Sequence, residues 1–99
     1  MSRRYVQIKI CSHVTVTEEQ VTQALTGSIV RTFGEVGLSR IAPKLIHFDS
    51  RNSTAVLAFA KDHAVEMQAA LAFIRQMGES EVLMMPLKTS GTIKGLSSS

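Results

Sequence analysis

Three histidines, one cysteine and eight carboxylates are the side chains of this 99-residue chain with the most obvious chemistry near neutral pH. Metal-free cleavage of a phosphodiester needs two histidines converging on one phosphate, with a cation beside them. His13 precedes the first predicted helix and His63 opens the second, a spacing that permits convergence without requiring it; His47 falls in a predicted strand. His63 beside Asp62 reads more simply as a first-turn helical residue. Cys11 has no evident partner and reads as a small buried hydrophobe. One cysteine and scattered histidines match no zinc spacing. No glycine-rich phosphate loop of the G-x-x-x-x-G-K-[ST] kind is present. The chain is expected not to be an enzyme by itself.

Charge offers a different chemistry. Eleven Lys and Arg stand against eight Asp and Glu, a formal net charge of +3. All the acids lie between Glu18 and Glu81, which leaves Arg3, Arg4 and Lys9 at one end and Lys88 and Lys94 at the other without acidic neighbours. Basic ends suit a polyanionic partner; the plainer reading is two solvated ends. Base stacking is poorly served by one tyrosine, four phenylalanines and no tryptophan. Any contact with RNA is therefore expected to work through backbone charge and shape.

The elements that position these residues follow from periodicity. Arg4–Cys11 alternates, Val6, Ile8 and Ile10 on one face and Tyr5, Gln7 and Lys9 on the other, as a half-buried strand does. Thr17-Glu18-Glu19-Gln20 is a capping box, and Val16 and Val21 stand where a hydrophobic staple would. Val21, Leu25, Ile29 and Phe33 give the helix its inner side, and Gly34 and Gly37 are expected to end it. After Pro43, Lys44–Asp49 forms a strand with Ile46 and Phe48 on one face, and a polar turn leads into a strand at Ala55–Ala60. Asp62 is expected to cap a second helix carrying Ala64, Met67, Leu71 and Ile74, with Gly78 as its stop. Glu81–Leu87 supplies the last strand, and Pro86 places its end at a sheet edge.

The order β-α-β-β-α-β predicts an α+β fold of the ferredoxin-like, split β-α-β type: a two-layer sandwich with both helices on one face of a four-stranded antiparallel sheet. Residues 1–94 are expected to form one domain and residues 95–99 a flexible tail. A single cysteine, no apolar run of membrane-spanning length and no signal-peptide pattern point to a soluble protein of a reducing, intracellular compartment.

Such a sandwich closes one sheet face only, so outer positions should be polar. The first strand obeys, whereas Val56, Leu57, Ala58 and Phe59, then Val82, Leu83, Met84 and Met85, are apolar on both sides. Phe73 also falls off the main stripe of the second helix. Leu57, Phe59, Phe73, Leu83 and Met85 are therefore expected to form a protein–protein interface.

Four stretches carry a resemblance: Arg4-Tyr5 at the start, Phe33-Gly34-Glu35-Val36-Gly37, Lys61-Asp62-His63 followed by Ala69-Ala70-Leu71, and Ser90-Gly91-Thr92-Ile93-Lys94 after an apolar strand. In their order and spacing the chain, from Arg4 to Lys94, resembles the Pop-five/Rpp-fourteen family of protein subunits of archaeal and eukaryotic ribonuclease P and its relative ribonuclease MRP. The resemblance implies a non-catalytic subunit of a ribonucleoprotein that removes the 5′ leader from precursor tRNA. The catalytic RNA and its Mg2+ ions would carry the chemistry, and this chain would bind no cofactor of its own. Its partners would be that RNA, a TIM-barrel-like protein subunit, other particle proteins and, indirectly, precursor tRNA. Its place would be the nucleus or nucleolus of a eukaryote or the cytoplasm of an archaeon. Arg4, Lys88, Ser90, Gly91, Thr92 and Lys94 would contact RNA by carry-over, and Arg3 by charge alone. Two departures stand out: Ala60 and Lys61 where the family commonly has proline and arginine, and Gly95-Leu96 with three serines where it has a basic extension. The alternatives are a module of the same fold that binds protein only, and a small-molecule-binding regulatory domain built on a dimeric sheet.

Overall fold

The computed structural model describes residues 2–97. The chain forms β1 (Arg3–Ser12), α1 (Glu18–Ile41), β2 (Lys44–Asp49), β3 (Thr54–Ala60), a single 3-10 turn (Lys61–His63), α2 (Ala64–Ala72), β4 (Gln76–Met77), β5 (Ser80–Ser90) and α3 (Ile93–Ser97). The strands make one antiparallel sheet in the order β2-β3-β1-β5-β4. The sheet has five strands where the sequence predicts four. The extra one, β4, is a two-residue edge piece that no periodicity announces. Gly78 (φ 64°) is the reason: it does not stop α2 but leads a two-residue turn that pairs Met77 with Ser80 and Gln76 with Glu81.

α1 starts as its sequence predicts. The Gln20 N–H donates to the Thr17 hydroxyl at 3.2 Å, and the Thr17 N–H donates to the Gln20 side chain at 2.9 Å. Val16 and Val21 are both buried, as a staple across the cap requires. Val21, Leu25 and Ile29 face inward with Phe33 half-buried behind them. Gly34 breaks the helix with φ 73° and ψ −179°, but helix resumes to Ile41. The break re-aims the chain so that Ile41 returns to the core and Leu38 packs against it. Gly37 is needed beside it, because a Cβ there would overlap that of Phe33. The helix closes on Ala42 in the left-handed region, its N–H donating to the Leu38 carbonyl at 2.9 Å.

Asp62 does not cap α2. It sits within the 3-10 turn, α2 begins at Ala64, and no side chain caps its first turn. The predicted stripe survives the shift, since Met67, Leu71 and Ile74 are buried and Ala64 packs against the core. Ser28 of α1 is buried between the helices and donates to the Ala70 carbonyl at 2.7 Å, which satisfies its hydroxyl where the two backbones approach. In β2 a bulge between Leu45 and His47 changes the expected alternation. Leu45 and Phe48 pack on the core, and Ile46 is exposed.

Inward-facing residues of β1, β3 and β5 join those of α1 and α2 in one core that includes Ile8, Ile29, Leu57, Phe59, Met67, Leu71 and Met84. The molecule is 18 Å across its thinnest direction, room for one sheet and one helix layer. Among the described residues its other sheet face receives only α3. Gly95 and Leu96, expected in a flexible tail, belong to that helix, and Leu96 is buried outside the main core. Ser98 and Ser99 of the expected tail lie outside the described residues.

Candidate functional site

The register assigns each outer-facing side chain a neighbour. Tyr5 lies between Ala58 and Ser90, Gln7 between Val56 and Lys88, and Lys9 between Thr54 and Met85, while Cys11 is opposite Leu83. On the β5 side of this face Leu83 and Met85 are 43% and 45% exposed. Leu87, the extra residue of a bulge opposite Gln7 and Ile8, is 53% exposed. This apolar strip adjoins a strand edge left open among the described residues, because β4 and Arg75 beside it cover only the stretch from Ser80 to Val82, and Pro86 stands on the uncovered stretch. Cys11 is exposed rather than buried. Its thiol lies 3.8 Å from the Met85 sulfur, and among the described residues it makes no hydrogen bond to a base.

The expected interface is therefore split. Leu57 and Phe59 are core residues, 0% and 2% exposed, and cannot meet a partner; alternation along β3 turns them both inward. Phe73 is exposed, but at the end of α2, where it borders a groove with Gln20, Gln23 and Arg31 of α1 rather than the open sheet face. Leu83 and Met85 alone of the five lie on that face.

The basic residues behave in the opposite way. The antiparallel connections place the start of β1 and β2 and the finish of α1, β3 and β5 at one end of the sheet. Arg3, Arg4, Arg40, Lys44, Lys61, Lys88 and Lys94 all belong to that end, against Glu35, Asp62 and Glu66. The other end holds Glu18, Glu19, Asp49, Glu79 and Glu81 against Lys9, Arg31, Arg51 and Arg75. A modest net charge thus conceals one basic pole and a nearly balanced opposite end, an arrangement that orients a polyanion. Arg40, Lys44 and Lys61 were not expected from the sequence to join the basic ends, because only the topology moves these mid-chain bases beside the termini.

At the basic pole Lys88 and Ser90 point to the open face beside Gln7 and Tyr5. Ser90 accepts the Thr92 N–H at 3.2 Å, and Thr92 accepts the Gly95 N–H at 3.0 Å, so Thr92 caps α3. A Cβ on Gly95 would overlap the Ser90 hydroxyl, which explains how α3 folds back so tightly. Ser90-Gly91-Thr92 is thus a turn and a cap, and both hydroxyls keep a proton to donate. The Arg3 guanidinium donates to the Ala42 carbonyl at 2.8 Å, one of its five N–H groups. Arg4 pairs with Phe59 and belongs to the helix-side face by alternation.

The histidines do not converge. His63 follows Ala60, the partner of Arg3 at the start of β1, whereas His13 follows Ser12 at its end. The ten residues of β1 separate the two, about 30 Å at the usual strand rise. His63 Nδ1 is instead 2.6 Å from the Glu66 carboxylate, and this hydrogen bond holds the Glu66 carboxyl below its ordinary value. Among the described residues no group of three His, Cys, Asp or Glu is placed to hold a metal, and no helix is long and apolar enough to cross a membrane.

These features define a small α+β domain: one sheet face closed by helices, the other largely open, apolar along β5 and basic at one end. A sequence model of the Rpp14/Pop5 family matches residues 4–99, and the chain belongs to that family. Ribonuclease P protein component 2 of Aeropyrum pernix is 32% identical over 95 residues, 94% of this chain and 77% of that protein. Ribonuclease P/MRP protein subunit POP5 of Schizosaccharomyces pombe is 29% identical over 87 residues, 86% of this chain and 63% of that one. A chain in the cryo-EM structure of yeast ribonuclease MRP shares the fold, with a TM-score of 0.76 at 15% identity over 92% of this chain and 75% of its own.

Proposed function

We propose that this chain is a non-catalytic protein subunit of ribonuclease P, and of ribonuclease MRP where that particle occurs, bracing the catalytic RNA for removal of 5′ leaders from precursor tRNA. Membership of the Rpp14/Pop5 family over residues 4–99 carries this reading. The architecture is then the ferredoxin-like split β-α-β with β4 added at one edge. The strip of Leu83, Met85 and Leu87 takes the protein partner, for which the resemblance implies a TIM-barrel-like subunit. Arg3, Arg4, Lys88 and Lys94 pair with phosphates, while the Ser90 and Thr92 hydroxyls and the Gly91 N–H donate to phosphate oxygens. Mg2+ belongs to the RNA. The compartment follows the particle, nuclear in a eukaryote and cytoplasmic in an archaeon.

The test is to purify the tagged chain from its native cell at moderate salt, then sequence the RNA and identify the proteins that come with it. One abundant structured RNA with precursor-tRNA cleavage that nuclease abolishes is the expected result. Protein partners without RNA would overturn it in favour of a protein-only assembly module. With that RNA in hand, Lys88→Ala with Lys94→Ala should lower the salt slope of binding by roughly two. An unchanged slope places the contact elsewhere.

A further inference from the structure

We propose that a groove at the basic pole, lined by Ser2, Ser39, Arg40, Lys61, Asp62 and His63, is a phosphate-binding subsite for the sugar–phosphate backbone of RNA. The subsite rests on reading the chain as an RNA-bound subunit. It adds residues that lie outside the Lys88–Lys94 stretch, on different elements and in the middle of the sequence.

The groove has a volume of about 510 Å3, enough for a phosphodiester with part of its sugar. Arg40 enters it from the last turn of α1 and Lys61 from the 3-10 turn after β3. Both side chains belong to exposed residues. A planar guanidinium and a mobile ammonium facing one space suit a phosphate, which accepts from both. Ser2 and Ser39 add hydroxyl donors at the rim. The backbone here is fixed, because the Lys61 N–H donates to the Ser2 carbonyl at 3.1 Å.

His63 supplies the least expected feature. It lines this groove and a smaller one beside it with Phe33, Arg40 and Glu66. The 2.6 Å bond to the Glu66 carboxylate places the hydrogen on Nδ1 and holds the ring. Nε2 is then the nitrogen left for a ligand among the described residues. Asp62 in the groove and Glu66 beside it offset two of the bases. Arg3 and Arg4 on the adjoining end of β1 keep the balance positive. From β3 to β5 is two strand spacings, about 10 Å, so one RNA segment can reach the groove and Lys88 together. The open β5 strip remains uncovered for protein.

The experiment is a titration of the isotope-labelled full chain with a 20-nucleotide RNA stem-loop, followed by NMR at the Arg40, Lys61 and His63 side chains. A decaglutamate peptide serves as the second probe. Saturable, salt-sensitive shifts at all three groups with RNA are expected. R40Q with K61Q should weaken RNA binding about tenfold and lower the salt slope by about two, with an amide spectrum unchanged away from the groove. Should that variant fail to fold, the wild-type titration still decides. Shifts confined to Lys88–Lys94 would overturn the subsite and leave the RNA-subunit reading standing. No shift anywhere with RNA would overturn both. A groove that answers decaglutamate and ignores RNA would be a protein-docking site instead.

Discussion

β5 shows its two sides very differently. Val82 and Met84 are buried beneath the helices, while Leu83 and Met85, one residue along, stand nearly half exposed. β3 has the same apolar composition, yet both Leu57 and Phe59 turn inward, and its outward Ala58 is fully covered. Apolar residues on both sides of a strand thus do not by themselves mark an interface. What distinguishes β5 is its place beside a nearly bare edge, whereas β3 lies between β1 and β2. The inner face supports stability, and the outer β5 strip is the apolar surface left open.

The sharpest way to break this division is Phe59→Ala, which should cost about 3–5 kcal/mol of stability by urea unfolding, as buried aromatic truncations do. A loss below about 1 kcal/mol would mean the inner face is not the core. Leu83→Asp with Met85→Asp should do the reverse. Unfolding should change by under about 1 kcal/mol, while affinity for the protein partner, read by calorimetry, should fall by about 2 kcal/mol or more. Equal partner affinity would remove the strip from the interface.

Leu96→Ala sits between the two behaviours, because Leu96 is buried on the otherwise open side. It should destabilise α3 by about 1–2 kcal/mol, seen as faster amide exchange at Gly95, with the main core unaffected. The smallest effect is electrostatic. Glu66 and Asp49 ionise more readily folded than unfolded, the first because of the His63 hydrogen bond, the second because the Asn52 side chain donates to it. Their stabilisation is present above their ordinary values of 4.5 and 3.8 and is lost as pH falls through the lower folded ones. The urea midpoint should therefore drop between roughly pH 5 and pH 3, and drop less in a Glu66→Gln, Asp49→Asn variant. Identical acid limbs would show that these pairs add nothing.

Local signals translated well wherever neighbouring residues sufficed. The Thr17–Gln20 capping box, the inward row from Val21 to Ile29 and the alternation of β1 are all one- to four-residue patterns, and the structure realises them. Gly34 and Gly78 were recognisable as special positions, but their outcome was not, since a positive φ permits a helix break, a stop or a hairpin alike. The tertiary contacts of Leu38 and Ile41 chose a break in the first case, and pairing with Ser80 and Glu81 chose a hairpin in the second. Within the candidate site, motif and charge pointed to Lys88, Ser90 and Thr92, and the fold sets the first two on the open face and the third at the cap of α3. Leu57 and Phe59 were misplaced because composition does not tell which side of a two-sided apolar strand is covered.

By itself the sequence determined the element order, the helical core faces and the family to which the chain belongs. Each rests on short-range periodicity or on residues that can be compared position by position. Only the tertiary structure decided which apolar side chains remain open, that α3 folds back onto the sheet, and that bases scattered from Arg3 to Lys94 collect at one pole. Antiparallel pairing brings the start of one strand beside the finish of the next, so residues far apart along the chain become neighbours, and a net charge says nothing of which ones.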